Sequence, residues 1–156
     1  MRLRSILAIL LSLTVLVCLG CYRPQGLEIH DDFKDYHSAF YNSARLNGKT
    51  LPIKSIVIRY AETGELPQNE MGRCSIGYGP KPLIRINASY WNAVSYWDRR
   101  ELIFHELGHC VLGLSHNDTM IGWQPVSIMH TYHLGTSYYG PLTYSRYETQ
   151  LFSMID

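Results

Sequence analysis

The stretch HELGHCVLGLSH, His105 to His116, decides how the rest of the chain is read. His105 and His109 are four residues apart, which puts both imidazoles on one face of a helix and within reach of one metal ion. Glu106 sits beside that face, where a carboxylate can take a proton from the water such an ion acidifies. The flanking residues Leu102, Ile103, Phe104, Leu107, Val111 and Leu112 make the helix apolar nearly all round, so it is expected to be buried. Burying two histidines and a glutamate without partners is costly, and that cost favours a metal site over a chance spacing. Two neutral imidazoles and a third nitrogen or oxygen ligand suit Zn²⁺, with a fourth position open. Ser95-Tyr96-Trp97-Asp98 is a capping-box pattern that opens this helix, and Gly113 closes it.

His116 follows Gly113 by three residues, so a glycine turn can return a third imidazole to the same ion. Downstream, Ser127-Ile128-Met129 reads SIM. Together, HELGHCVLGLSH and SIM resemble the metzincin clan of zinc metalloproteases, of the matrixin and astacin kind. They also resemble a group of small exported bacterial metalloproteases that pair a cysteine after the second histidine with one upstream. The resemblance implies zinc bound by His105, His109 and His116, with Glu106 as general base and then acid. It implies Met129 as a structural turn beneath the metal, and Tyr132 as a group that steadies the oxyanion.

One departure from the clan pattern bears on the third ligand. The clan has two residues between the second histidine and the glycine, and this chain has three: Cys110, Val111 and Leu112. An extra helical residue turns the chain exit by about 100°. Either the last helical turn deforms or the turn after it is remodelled. His116 keeps its own spacing from Gly113 and is the expected ligand. Asp118 is the alternative, and Ser115, at the unshifted position, is a poor ligand.

Outward from the motif, the chain reads as an α+β domain with a short mixed sheet, the motif helix and a C-terminal helix. Asp31 and Asp32 precede Phe33, Tyr36, Phe40, Tyr41 and Ala44, an apolar stripe at helical spacing that Asn47-Gly48 closes. Residues 53–60 (IKSIVIRY) are β-branched and bounded by turn residues, which predicts a strand. Two shorter strands are expected near 74–78 and 83–87, a turn-rich segment over 117–143, and a last helix from Tyr144 to Met154. An extended substrate can pair with the edge near 74–78.

The N-terminus carries its own message. Arg2 and Arg4 precede an apolar run from Ile6 to Leu19, too short to span a bilayer and of signal-peptide form. Cys18-Leu19-Gly20-Cys21 resembles a bacterial lipoprotein processing site, which implies a lipid on Cys21. The expected division is a signal peptide over 1–20, a tether over 21–30 and a catalytic domain over 31–156. The location implied is the cell envelope, facing the periplasm or the outside, with the membrane as a partner through the lipid. In such an oxidising compartment the remaining pair, Cys74 and Cys110, is expected to form a disulfide.

Composition bounds the alternatives. The chain has 156 residues, 14 Lys plus Arg against 13 Asp plus Glu, and no run of like charge, so nothing points to nucleic acid. The expected activity is hydrolysis of peptide or protein substrates. The alternatives are hydrolysis of another envelope amide bond, or a non-catalytic lipoprotein stapled by zinc. Glu106 argues against the last, since a purely structural site needs no base.

Overall fold

The computed structural model describes residues 26–77 and 79–155. The signal segment over 1–20 and the acylation site Cys21 lie outside the described residues. Among those described, no helix is long and apolar enough to cross a membrane. The fold is mixed α+β: one small sheet and four helices, with a two-residue ladder in the turn-rich segment.

The first helix, α1 (Asp31–Leu46), buries Phe33, Tyr36, Phe40 and Ala44, the stripe expected from the sequence. Its two leading aspartates oppose the positive end of the helix dipole. Ahead of it, β1 (Leu27–Ile29) pairs parallel with β2 (Ile56–Tyr60). Residues 27–29, within the expected tether over 21–30, thus belong to the sheet. Three residues show too little alternation to be read as a strand; their pairing is fixed by the β2 edge they meet. Next come β3 (Gly72–Ser75) and β4 (Leu83–Ile86), and the strand order is β1-β2-β4-β3. The first three are parallel, and β3 runs antiparallel to β4 at the edge.

A short helix, α2 (Ala88–Ala93), follows, capped by the Asn87 side chain. The sequence reading had no helix there. The motif helix is α3 (Tyr96–Cys110), and Ser95 and Asp98 close the capping box at its start. Beyond it, β5 (Met120–Ile121) and β6 (Gln124–Pro125) form a minimal hairpin, and α4 (Tyr144–Ser153) ends the fold.

The core forms where α1, α3 and α4 meet one another and the sheet, whose Ile56, Ile58, Ile84 and Ile86 are fully buried. Phe40 packs edge-on against Phe104 and Phe152, each with ring centroids 5.2 Å away. Glu148 of α4 is buried there and fully engaged. It accepts from Arg100 Nε at 2.8 Å, Tyr139 OH at 2.6 Å and Ser43 Oγ at 2.6 Å, joining three helices and the segment before α4. Cys74 and Cys110 are joined in a disulfide, Cα atoms 5.7 Å apart, tying β3 to the last residue of α3. The motif helix is thus fixed by packing on one side and by a covalent bond at its end.

Candidate metal centre

The extra residue in the motif is absorbed by widening the end of α3. The Leu107 carbonyl accepts from Val111 N–H at 2.8 Å, the ordinary helical spacing, and also from Leu112 N–H at 3.4 Å, a π-type spacing. Gly113 then turns back with φ +71°, a conformation that suits glycine, and Leu114 N–H reaches the Gly108 carbonyl at 3.0 Å. The outcome is that His116 does meet the helical pair. Its Nε2 lies 3.2 Å from Nε2 of His109, which lies 3.1 Å from Nε2 of His105.

The far side of two of these rings shows what faces the middle. Nδ1 of His105 is 2.9 Å from the Ile128 carbonyl, and Nδ1 of His109 is 2.6 Å from the Leu114 carbonyl. A carbonyl only accepts, so each Nδ1 carries the proton and each Nε2 presents a lone pair. Burial holds His105 down to about 4 and lowers His109, so both are neutral near pH 7. Two unprotonated nitrogens facing each other at 3.1 Å repel unless a cation lies between them. Ligands about 2.0–2.1 Å from a tetrahedral zinc stand about 3.3 Å apart, close to the spacing found here. The donor set fits zinc.

Glu106 is on the same helix but faces β3. It is buried, and Oε2 receives no hydrogen bond. Burial pushes its carboxyl up to about 8, against which a hydrogen bond from the Cys74 backbone acts. It lines the same cleft as the three histidines, as do Tyr132, His130 and His133. Met129 is fully buried beneath the site, and a methyl group on Gly108 would overlap its sulfur. Gly108, which sequence reading passed over, is therefore the point where α3 rests on the methionine turn. The turn also touches two of the three histidine positions: the Ile128 carbonyl meets His105 Nδ1 at 2.9 Å, and the Met129 carbonyl takes Asn117 N–H at 2.8 Å, next to His116.

Asp118, the alternative third ligand, is not in the cluster. Its Oδ1 accepts from Thr131 N–H at 2.6 Å and its Oδ2 from Thr131 Oγ at 2.8 Å, clamping the loop that follows the methionine turn. Tyr132 stands at the rim, 75% exposed. His130 Nδ1 accepts from Tyr132 N–H at 3.1 Å, and His133 lies between Asp98 and Glu101. Of the bland histidines, His30 caps α1 and His37 is buried against Tyr41. Compared with known proteins, the chain matches no family model, no curated protein and no solved structure.

Proposed function

We propose that this chain is a zinc-dependent peptidase of metzincin type, exported and held at the cell envelope by a lipid on Cys21. The observation that carries the reading is the meeting of three imidazoles, two with their lone pairs fixed inward, beside a buried carboxylate in an open cleft. His105, His109 and His116 are the residues that would hold the ion. Zinc at that point supplies Lewis acidity, which polarises a carbonyl and eases deprotonation of water near neutral pH.

The rest of the work falls to the chain's own groups. Glu106 accepts the proton of the attacking water on its free Oε2 and returns it to the departing amine. Burial alone raises that carboxyl to about 8, and the positive charge of an ion held by the three histidines would lower it and leave the carboxylate free to take the proton. Ile128 and Leu114, through their carbonyls, keep the two helical imidazoles in the ligating tautomer. Tyr132, at the rim, is the group available to steady the carbonyl oxygen as it gains charge. On the other wall, β3 is an edge strand, and an extended peptide can pair with its open side. A zinc that only stapled the fold would need neither a carboxylate with an unused oxygen nor an open cleft.

The test is casein hydrolysis by the purified full chain. Chelation should abolish activity and added zinc should restore it. Hydrolysis that persists in chelator would rule out the reading.

A further inference from the structure

A second group of donors lies one turn before the first. Glu101 precedes His105 by four residues, on the stripe of α3 that also carries His109. Asp98 and His133 join it. His133 Nε2 is 2.9 Å from Asp98 Oδ1, and its Nδ1 is 3.2 Å from Glu101 Oε2. One donor atom from each of the three lies within 4.8 Å of the others.

Three observations set this group apart from an ordinary ion pair. Glu101 is only 3% exposed, and its Oε2 receives no hydrogen bond, since His133 approaches at an angle that makes none. The other oxygen is already used, by Leu134 N–H at 2.7 Å. Tyr90, whose ring lies edge-on to His133, has a buried hydroxyl that also lacks a partner. Finally, the donor set matches a divalent ion. Two carboxylates and one imidazole converge here, and two carboxylates with a divalent cation sum to zero.

We propose that Asp98, Glu101 and His133 bind a second divalent cation. One imidazole and two carboxylates are acceptable ligands for zinc. Asp98 can serve because its Oδ2 closes the capping box while Oδ1 faces the site. The ion pins the segment after the methionine turn onto α3 and so fixes the wall of the cleft. This site does not depend on whether the chain hydrolyses peptides.

The experiment is zinc titration of the chelator-stripped full chain, with bound metal counted by elemental mass spectrometry after gel filtration. Two equivalents are expected. His133→Asn and Glu101→Gln should each remove one and leave the equivalent that His116→Ala removes. Asp98→Asn replaces His133→Asn if circular dichroism shows that the latter misfolds. A stoichiometry unchanged by His133→Asn, Asp98→Asn and Glu101→Gln overturns the proposal, whatever His116→Ala does. Loss of the His116-sensitive equivalent alone bears on the three-histidine site and leaves this one standing.

Discussion

At the scale of single residues, the choice of third ligand turns on where one side chain goes once a helix has an extra residue. His116 reaches His109 through the turn at Gly113, while Asp118 is committed to Thr131. His116→Ala should therefore lose one tightly bound zinc, and Asp118→Ala should keep the parental number. Zinc titration of the two variants checks this, and the reverse pattern would make the site a two-histidine, one-aspartate centre. The helical pair was legible in the sequence because a spacing of four is a statement about one face. His116 was the expected partner from its spacing after Gly113, but its route was not legible, because it depends on how the Leu107 carbonyl is shared between Val111 and Leu112. Nor was the tautomer: it is set by the carbonyls of Ile128 and Leu114, of which the first is 23 residues from its histidine. Glu101 was missed for a related reason. Its partners His133 and Leu134 are more than 30 residues away, and only its place four before His105 hinted at a shared face.

At the scale of elements, the bond between Cys74 and Cys110 joins an edge strand to the end of the motif helix. It closes a loop of 36 residues in sequence, and removing such a constraint typically costs about 2–4 kcal/mol. The Cys74→Ala, Cys110→Ala double variant should lose stability of that order in urea unfolding. A loss under about 0.5 kcal/mol would mean that packing alone fixes β3 against α3. The long helices were readable because apolar residues recur along them and because caps mark their ends, as at Ser95 and Asp98. The short elements were not. β1 is three residues long and α2 six, and each is held by what it meets: β1 by β2, and α2 by burial of Trp91 and a cap from Asn87.

At the scale of the whole molecule, the groups of the candidate metal centre leave a mark on stability that the metal-free chain should reveal. Burial pushes Glu101 and Glu106 each up to about 8, against roughly 4.3 for an unfolded glutamate. Between those values the folded chain keeps protons that the unfolded chain has lost, so stability falls as pH rises. His105 acts the other way. With burial holding it down to about 4, it is neutral when folded and protonated when unfolded up to about pH 6.5, so its contribution rises with pH in that window. The two effects oppose each other below pH 6.5, and above it the carboxyls dominate. The thermal midpoint of chelator-treated protein should therefore drop between pH 6.5 and 8, and Glu101→Gln should reduce the drop. A midpoint that rises over that interval would contradict these environments. The central claim, that a buried carboxylate beside three metal-binding imidazoles performs hydrolysis, is tested most directly by Glu106→Gln. That variant keeps the size of the side chain and removes its ability to accept a proton. The account predicts parental zinc content with peptide turnover reduced by about 100-fold or more. Parental turnover with parental zinc would show that Glu106 is not the base and that the mechanism is wrong.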